Sequence, residues 1–497
     1  MDRRRFLDAG LGAGLLALAG GARADQDTYR RFHAALVRDP SLAVYAGVAG
    51  SQAGEARLSG RLPADLQGSF YRNGPGRFEL GGERHHHWFD GDGFVQRWRI
   101  REGKVQHQGR FVETPRFLDE SRAGQFLYPS FGTHVMRRGF RDNDSLNAAN
   151  TNLLPFGGRL YALWEGGSAI EIDPDTLATR GITTWREDLR AMPFSAHPKI
   201  DPQGGMWNFG AMPGAERIAL YQIGAGGEVL RTAVIPVPQQ AMVHDFAVSA
   251  KHLIFLIPPY DLQPGASMSF AERHAWAGDG PSARPLRVLV VDKASLAVRR
   301  VFELPPAMVF HFGNAWEDGA CTRFDVVLHE GDILKELGGL MAGERRPPSP
   351  TRSQAVQVCL DYAAGQARTS RLLGPSEFPR VMPQVVGSRH RRLALLGSDA
   401  RNAHDRLDTV HLIDTDSGKL DSYCFGDGWQ VEEHVLVARR HARSETDGYL
   451  VGVAQDLRAG ASVMTVFDAA RIKEGPVALA RLPYRTPHCF HGNFVSA

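Results

Sequence analysis

Cysteines are few, and none occurs in a pattern that binds metal. The chain has four, at positions 321, 359, 424 and 489. Because no Cys-x-x-Cys pair is present, a zinc or iron–sulfur site built on thiolates is not expected. Disulfide pairing among Cys321, Cys359, Cys424 and Cys489 cannot be read from their spacing, so it stays open at this point.

Long apolar runs, charge excess and low-complexity tracts are also missing. No segment after residue 24 approaches the roughly 18 apolar residues that a membrane-spanning helix needs. The formal net charge is +3, and four arginines against two aspartates in residues 1–24 account for two of these charges. This balance gives no electrostatic reason to expect a nucleic-acid partner. The absence of a linker favours one domain over residues 25–497.

The first 24 residues have the features of an export signal. Arg3-Arg4-Arg5-Phe6-Leu7 matches the twin-arginine pattern, residues 9–21 form a weak apolar core, and Ala22-Arg23-Ala24 is an A-x-A cleavage site. The apolar core is too short to cross a bilayer, which favours a cleaved signal over an N-terminal membrane anchor. We therefore expect export by the twin-arginine machinery, which carries folded proteins, and a periplasmic location.

Short alternating or apolar runs indicate strands from Ala56 onward. Examples are Arg57–Leu62, Gly93–Ile100, Arg159–Trp164, His252–Ile257, Arg287–Val291, Ala394–Leu396 and Gly448–Val453. Turns are predicted at Asn73–Gly76, Asp90–Gly93, Asp201–Gly205 and Asp414–Gly418. A chain of this length with strands throughout is best explained as an all-β, closed radial β-propeller. A pair of β-sandwiches is the competing fold.

Helical spacing is confined to three stretches. The first is a mixed lead-in from Asp25 to about Gly50, in which Tyr29, Phe32, Leu36 and Val37 fall at helical spacing. The other two, Leu118–Phe131 and Ile333–Met341, are predicted to be helices in loops.

Four of the nineteen histidines share a local context, a short apolar or small-residue run before the histidine and a strand-like segment after it. They are His197, His244, His311 and His491, separated by 47, 67 and 180 residues. If seven blades of about 68 residues form the propeller, these gaps equal roughly one, one and three blades. Inner strands of different blades could then bring the four side chains together on the axis. Since a lone histidine is more often a hydrogen-bonded core residue, the spacing alone leaves both interpretations open.

Motifs along the chain carry a family resemblance. In order they are Gly68–Pro75, His87–Gly93, Asn150–Asn152, Ala162–Gly167, Ala196–Lys199, His244–Phe246, His311 with Asn314–Glu317, Glu377–Arg380 and Phe490–Gly492. From about Gly60 to its end, the chain resembles the carotenoid cleavage oxygenase family, which also includes stilbene-cleaving enzymes.

The resemblance implies a seven-bladed β-propeller with helical loops capping one face. It also implies one non-haem Fe(II) per chain, bound by His197, His244, His311 and His491. Glu165, Glu377 and Glu433 are implied as the carboxylates that orient three of these ligands. The pair Glu432-Glu433 departs from the usual Gly-Glu of the family, so Glu432 could be the orienting residue, or both could be solvated; we favour Glu433.

The implied function is oxidative cleavage of a conjugated C=C bond of a carotenoid or apocarotenoid with O₂, giving carbonyl products. Neutral imidazoles suit Fe(II), and four ligands on an octahedral ion leave two positions open. The partners are then O₂ and an apolar conjugated alkene. No protein acid or base beyond the iron centre is expected to be needed.

Two other functions compete with this one. The first is cleavage of a stilbene-type alkene. Stilbene-cleaving enzymes resemble one another in a lysine and a tyrosine that hold the phenol, on the segment corresponding to about residues 115–135. Here Phe117–Thr133 contains Tyr128 but no lysine. The second is a periplasmic hydrolytic or binding propeller, which would need carboxylate and carbonyl ligands rather than histidines.

Some secondary features also give expectations. We interpret His85-His86-His87 as an exposed or turn-supporting segment, with His87 structural, and His488 as a residue supporting the site or the fold. Phe131, Phe310, Phe312 and Trp316 are candidate walls of a substrate tunnel. The segment from Phe117 to Phe131, with Phe126, Leu127 and Tyr128, could touch a membrane peripherally through an amphipathic patch.

Overall fold

A computed structural model describes residues 26–265, 268–344, 352–398 and 406–497. The predicted export signal in residues 1–24 lies outside these ranges. Strands of mostly three to eleven residues follow one another from Gln52 to Ser496 with few helices between them. The predicted strand runs are all observed, each with its bounds shifted by no more than a few residues.

The strands are named in chain order. The first eleven are β1 (Gln52–Glu55), β2 (Arg57–Gly60), β3 (Gly68–Arg77), β4 (Glu79–Leu80), β5 (Glu83–Arg84), β6 (Asp92–Arg101), β7 (Lys104–Phe111), β8 (Asn152–Phe156), β9 (Arg159–Leu163), β10 (Ala169–Ile172) and β11 (Thr179–Thr183). The next ten are β12 (Lys199–Ile200), β13 (Met206–Met212), β14 (Arg217–Ile223), β15 (Val229–Pro236), β16 (Phe246–Val248), β17 (His252–Ile257), β18 (Tyr260–Leu262), β19 (His274–Trp276), β20 (Leu286–Asp292) and β21 (Ala297–Leu304).

The remaining strands complete the chain. They are β22 (Met308–Asp318), β23 (Cys321–His329), β24 (Ser353–Asp361), β25 (Gln366–Leu373), β26 (Ser376–Arg380), β27 (Arg392–Gly397), β28 (Thr409–Asp414), β29 (Leu420–Cys424), β30 (Trp429–Ala438), β31 (Gly448–Asp456), β32 (Ala461–Asp468), β33 (Ala478–Arg481) and β34 (His491–Ser496).

The α-helices within the described residues are α1 (Gln26–Arg38), α2 (Pro115–Ala123) and α3 (Ile333–Gly338). Thr114 caps α2 through its hydroxyl, which accepts from the Phe117 N–H, and Gly124 in the left-handed region ends it. The second predicted helix therefore begins three residues earlier and ends eight residues earlier than expected. Of the lead-in residues at helical spacing, Phe32 is buried but Val37 is 84% exposed on α1.

Seven antiparallel sheets form the blades of a propeller, which confirms the predicted fold and excludes a pair of β-sandwiches. Blades 1 and 2 are β8–β11 and β12–β15; blade 3 is β16, β17, β20 and β21; blades 4 and 5 are β22–β25 and β26–β29. Blade 6 is β30–β33 with β2 outside, and blade 7 is β34, β3, β6, β7 and β1. The inner strands contact one another around the axis, as β34 does with β8 and β30.

One apolar cluster fills each interface between neighbouring blades. Blades 3 and 4, for example, share a cluster around Val288, Phe312 and Phe324, while blades 6 and 7 share one around Trp98 and Val451. Equivalent clusters join the other five pairs of neighbours, including blade 7 with blade 1. A ring of sheets with every interface packed leaves no open face, and this closure protects the inner edges.

Strands from the two ends of the chain close the ring. β34 pairs antiparallel with β3, so that His491 lies opposite Asn73 and Ser496 lies opposite Gly68. Independently, β2 adds to the outer edge of blade 6 by pairing with β33. The last strand of the chain therefore closes the propeller.

The predicted turn at Asn73–Gly76 is wrong, because these residues continue β3. Gly74 and Gly76 do not reverse the chain. Their missing side chains allow other residues to approach the backbone of β3 closely. A Cβ on Gly74 would lie 2.5 Å from the Cα of Cys489, and one on Gly76 would lie 2.6 Å from the Cβ of Phe94. A glycine inside a strand often marks such an approach of two backbones. Gly74 thus lets the segment before β34 lie against the blade.

The cap over one face is built from the long loops. It includes α2, α3, the β18–β19 hairpin and the segment that follows α2. In that segment Phe126 and Leu127 are buried, with Phe126 packed 3.9 Å from the ring of His85. The proposed membrane patch on these residues is therefore wrong: the apolar side chains face the protein interior. None of the helices in the described ranges is both long and apolar enough to span a bilayer.

Removing β34 tests the closure. We expect a chain ending at residue 490 to unfold at a markedly lower temperature, because β3 loses one of its two strand partners and the blade 6–blade 7 interface loses Phe494. Thermal unfolding followed by circular dichroism measures this. A control chain that lacks only Ala497 should melt like the full-length protein, and equal melting of all three chains would contradict the proposed closure.

Two buried histidines that are not among the four candidate ligands predict the pH dependence of stability. Burial lowers the pKa of His107 to about 3 and that of His434 to about 4. In the unfolded chain these histidines take up protons near pH 6.5. Their contribution to the free energy of unfolding is therefore complete above that pH and is lost as the pH falls towards 4, by about 1.4 kcal/mol per pH unit for each histidine. Urea denaturation between pH 7 and pH 5 should show this loss, and His434→Gln should reduce its slope.

Candidate metal centre

The four histidines predicted from their context lie at the inner strands of four blades. His197 and His244 precede β12 and β16 by two residues, His311 lies within β22, and His491 begins β34. These are blades 2, 3, 4 and 7, so the steps of one, one and three blades are observed. Their candidate ligand atoms all lie within 4.8 Å of one another.

The nitrogen positions fit a metal ion. The Nε2 atoms of His197 and His244 are 2.9 Å apart, and those of His311 and His491 are 3.2 Å apart. Neighbouring ligands at right angles around an ion with bonds of about 2.1 Å would be about 3.0 Å apart. Lone pairs this close repel one another unless a cation lies between them. The geometry therefore suits a metal, although the role of these residues as ligands stays a prediction.

A carboxylate lies against the outer nitrogen of three of the four rings. The Nδ1 of His311 is 2.6 Å from Oε2 of Glu377, the Nδ1 of His491 is 3.0 Å from Oε1 of Glu433, and the Nδ1 of His244 contacts Glu165. Each carboxylate can accept the Nδ1–H and so leave Nε2 free as a ligand atom. His197 forms no ion pair with a carboxylate within the described residues.

Burial sets the charges of this cluster. Burial and the neighbouring imidazoles lower the pKa of His197 well below its usual value, and burial lowers that of His491 to about 4 despite Glu433. Burial would raise the pKa of Glu433, but Arg380 and His491 bring it down to about 2. His244 differs, because Glu165 outweighs burial and raises its pKa. Mostly neutral imidazoles backed by charged carboxylates form a site that attracts a cation.

The neighbouring acids Glu432 and Glu433 have different contacts. Glu433 faces His491, and its second oxygen accepts from the Gly492 N–H at 2.9 Å. Glu432 is 2% exposed, lies 3.0 Å from the guanidinium of Arg72, and is 3.5 Å from Nδ1 of His488. The alternative of a solvated pair is therefore wrong. His488, stacked on Trp88 at 5.0 Å, belongs to this buried polar group behind the site.

β-Bulges turn the functional side chains of blades 4, 5 and 6 towards the axis. In β22 the residues Phe310 and His311 lie between the pairs Val309–Leu328 and Phe312–Val326. In β30 the two glutamates lie between the pairs Val431–Ala454 and His434–Gly452, and β26 is bulged directly after Glu377. An extra residue in one strand bends it and re-aims its side chains, which is a common feature beside active sites.

A cavity of about 1710 Å³ lies beside the metal centre and is lined by three of its four histidines, His244, His311 and His491. Its walls are largely apolar and aromatic, and include Phe89, Phe131, Trp164, Met242, Phe310 and Phe490. Rings pack in sequence from the metal centre outward: Phe310 lies 5.5 Å from His244, and Phe89 lies 6.0 Å from Phe310. The cavity can hold an elongated apolar molecule next to the converging nitrogens.

Two of the four predicted tunnel residues line this cavity and two do not. Phe131 and Phe310 form part of its wall. Phe312 is buried in the apolar cluster between blades 3 and 4, and Trp316 packs edge-on against His390. Strict alternation would place Phe310, Phe312 and Trp316 on one face of β22, but the strand is irregular between Val309 and Phe312 and between Phe312 and Ala315. These irregularities let Phe310 line the cavity while Phe312 and Trp316 do not.

The histidine run at 85–87 is not exposed. His85 and His87 are 0% and 1% exposed, and His87 caps the short 3₁₀ turn Trp88–Asp90 by accepting from the Phe89 N–H. Asp90 then accepts from Gly132 and Thr133, which ties the Phe131 loop to this turn. The structural role expected for His87 is observed, whereas exposure of the run is a wrong expectation.

Sequence reasoning missed the side chains that support the ring. The amide of Asn73 donates to Ala149 and Asn152, that of Asn152 to Ala196, and that of Asn314 to Val385 and Ser388. These bonds satisfy buried carbonyl groups in the loops and at the strand start beside the inner strands. His329 was also missed, since it ends an apolar strand without any local signal.

Comparison with known proteins places the chain in a family. The family model described as RPE65, retinal pigment epithelial membrane protein, matches residues 49–496, and the chain belongs to this family. Among curated relatives, the apocarotenoid-15,15'-oxygenase of Synechocystis sp. is 28% identical over 457 residues, which cover 88% of this chain and 92% of that protein.

Two further similarities extend the comparison. The lignostilbene-alpha,beta-dioxygenase isozyme III of Sphingomonas paucimobilis is 28% identical over 469 residues, covering 89% of this chain and 94% of that protein. A solved structure of a variant of the Synechocystis apocarotenoid oxygenase superposes with a TM-score of 0.82 at 25% identity, covering 96% of this chain and all of that one.

Substituting the two adjacent glutamates separates their roles. Glu433→Gln should weaken metal binding by roughly 10–100-fold, because the acceptor for the Nδ1–H of His491 becomes neutral. Glu432→Gln should instead lower the free energy of unfolding by about 3–5 kcal/mol, because Arg72 is left as an unpaired buried charge. Metal titration against a chelator and urea denaturation measure the two effects. An equal effect of both variants on metal affinity would contradict the assignment.

Proposed function

We propose that the protein is a non-haem Fe(II) dioxygenase that cleaves a conjugated C=C bond of a carotenoid or apocarotenoid with O₂. Each alkene carbon receives one oxygen atom, so one alkene and one O₂ give two carbonyl products. The observation that carries the proposal is the convergence of four imidazoles beside a large, aromatic-walled cavity. Membership of the family and the 28% identity to an apocarotenoid oxygenase support it.

His197, His244, His311 and His491 would hold one iron per chain. Bound Fe(II) would supply the activation of O₂, which protein side chains cannot provide. Glu165, Glu377 and Glu433 keep three rings in the tautomer with Nε2 directed at the metal. The apolar wall excludes water and aligns the alkene beside the site. The conversion of one alkene and one O₂ into two carbonyl products neither takes up nor releases a proton, so the proposal assigns no protein acid or base.

The size of the cavity favours a long substrate. Its volume of about 1710 Å³ is above the roughly 300–1,000 Å³ of ordinary ligand pockets. A volume of this size leaves room for a polyene that is longer than a compact two-ring molecule. No lysine is among the described residues that line it. Tyr128 is absent from the wall as well, and its hydroxyl donates to Asp119 at 2.8 Å.

Cleavage of a stilbene-type alkene is the alternative function of the same site. The equal identity of 28% to a lignostilbene dioxygenase keeps this substrate class open. The alternative of a hydrolytic propeller has less support, since the four histidines form the one potential metal cluster in the described parts of the chain. That propeller would need a cluster rich in carboxylates.

We further propose a periplasmic location. Arg3-Arg4-Arg5-Phe6-Leu7 and Ala22-Arg23-Ala24 support export through the twin-arginine machinery, followed by cleavage. This route carries folded proteins, and it suits a protein that receives its metal before it leaves the cytoplasm.

Product analysis tests the function. Purified protein loaded with Fe(II) should convert an apocarotenal under O₂ into two carbonyl products, identified by mass spectrometry, and should turn over a hydroxystilbene more slowly. Incorporation of ¹⁸O from ¹⁸O₂ into both products distinguishes a dioxygenase from hydrolytic chemistry. His311→Ala should lose iron and activity together, because it removes one of the four proposed ligands. Full iron occupancy in His311→Ala would refute the ligand set, and faster turnover of the hydroxystilbene would favour the alternative.

A further inference from the structure

A fifth histidine is linked to the metal centre without being one of the four converging rings. His329 is the last residue of β23 in blade 4, paired with Met308, and it is 8% exposed on the cavity wall. Its Nε2 lies 2.7 Å from Oε1 of Glu377. The other oxygen of Glu377, Oε2, is 2.6 Å from Nδ1 of His311. One buried carboxylate therefore lies between two imidazoles.

We propose that His329 is a positioning residue of the metal centre, which fixes Glu377 and, through it, the orientation of His311. The inference rests on the proposed metal-binding function and adds a residue to it. A carboxylate only accepts hydrogen bonds, so both rings donate to Glu377. His311 donates its Nδ1–H and thereby presents Nε2 towards the other three rings. His329 donates its Nε2–H and holds the second oxygen.

The backbone alone does not fix this pair. His311 lies in the bulge of β22, where two residues face one residue of β23. Glu377 is the last regularly paired residue before the bulge of β26, and the following Phe378 has a φ of +55°. The Phe378 N–H donates to Oε2 of Glu377, the oxygen that faces His311, but no backbone N–H is recorded on Oε1 within the described residues. Since the strand pairing is interrupted beside both residues, side-chain contacts contribute to where the imidazole and the carboxylate point.

In each of the three carboxylates, one oxygen faces a histidine of the metal site. The carboxylates differ in what holds the other oxygen. In Glu433 it accepts from the backbone N–H of Gly492 at 2.9 Å. Glu165, with a side chain 31% exposed, faces the cavity next to His244. In Glu377 that oxygen contacts His329. The side chain of His329 therefore holds the second oxygen of Glu377, as the backbone N–H of Gly492 holds the second oxygen of Glu433. Unlike a backbone N–H, this side chain can be replaced by mutation.

The charge of Glu377 agrees with this role. Burial would raise its pKa, but His311 and His329 together bring it well below its usual value. The carboxylate is then charged at neutral pH and can accept from both rings. Charge-assisted hydrogen bonds of this kind are short and about twice as strong as neutral ones. The distances of 2.6 and 2.7 Å are consistent with them.

The ring of His329 also packs against the cavity wall, which determines the choice of variants. It lies 5.3 Å from Phe310, nearly perpendicular to it, and Phe310 in turn packs against His244. His329→Phe keeps an aromatic ring and removes the donor. His329→Gln keeps an N–H donor and removes the ring. Comparing the two separates hydrogen bonding from packing.

The matched control is His252, another buried histidine that contacts a glutamate. Its Nδ1 is 3.0 Å from Oε1 of Glu317, and it begins β17, outside the inner strand of blade 3. It does not line the cavity. His252→Phe therefore removes an equivalent contact without touching the metal centre.

The experiment is a titration of the metal-free full-length protein with Fe(II) under anaerobic conditions, in competition with a chelator. Wild type, His329→Phe, His329→Gln and His252→Phe are compared. We expect His329→Phe to weaken Fe(II) binding by roughly 10–100-fold, as outer contacts of metal ligands typically do. His329→Gln should bind close to wild type, and His252→Phe should bind like wild type. Co(II) absorption spectra should change in His329→Phe and stay the same in His252→Phe.

The outcomes are distinguishable. Unchanged metal affinity and an unchanged Co(II) spectrum in His329→Phe would overturn the proposal and leave the proposed function intact. An equal loss in the Phe and Gln variants would also overturn it, since the donor would then be irrelevant. Failure of the wild type to bind Fe(II) would instead refute the proposed function. If His329→Phe does not fold, His329→Asn replaces it, because the asparagine side chain is too short to reach Glu377. We then expect His329→Asn to weaken Fe(II) binding in the same way.

Discussion

Four imidazole nitrogens directed at one buried point repel one another unless a cation lies among them, and much of the structure follows from keeping them there. Three of the rings need an acceptor on their outer nitrogen, and Glu165, Glu377 and Glu433 provide it. Those carboxylates are themselves buried or partly buried charges, so they need further donors: the Gly492 N–H for Glu433 and His329 for Glu377. The polar centre is thus built in successive layers inside an apolar ring.

The propeller brings residues far apart in the chain to one axis. Regular strands would direct alternate side chains into the blade interfaces, and β22, β26 and β30 are bulged where His311, Glu377 and Glu433 have to face the axis. The amides of Asn73, Asn152 and Asn314 bond backbone carbonyls of the loops beside neighbouring inner strands. Local irregularities aim the side chains, and buried amides tie the inner strands to their neighbours.

The sequence predicts the propeller and the meeting of the four histidines, because strand density, blade-sized gaps and ordered motifs are properties of the chain itself. Features that depend on distant partners could not be predicted. The sequence around Gly74 is typical of a turn, and only the structure shows that the residue lies against Cys489. The sequence around Phe126 is compatible with a membrane contact, and only the structure shows that its ring packs on His85. Nothing in the sequence around His329 indicates a role, because its partner Glu377 belongs to another blade. The two residues come together only when blades 4 and 5 pack against each other.

The placement of one proposed ligand on the closing strand has a consequence for the order of biosynthesis. His197, His244 and His311 belong to consecutive blades, and His491 follows 180 residues after His311. During synthesis a three-histidine site can exist before the fourth ring arrives, and three histidines are the ligand set of some zinc enzymes. The complete set of four proposed ligands therefore forms only when β34 pairs with β3, so closure of the propeller and completion of the site are one event.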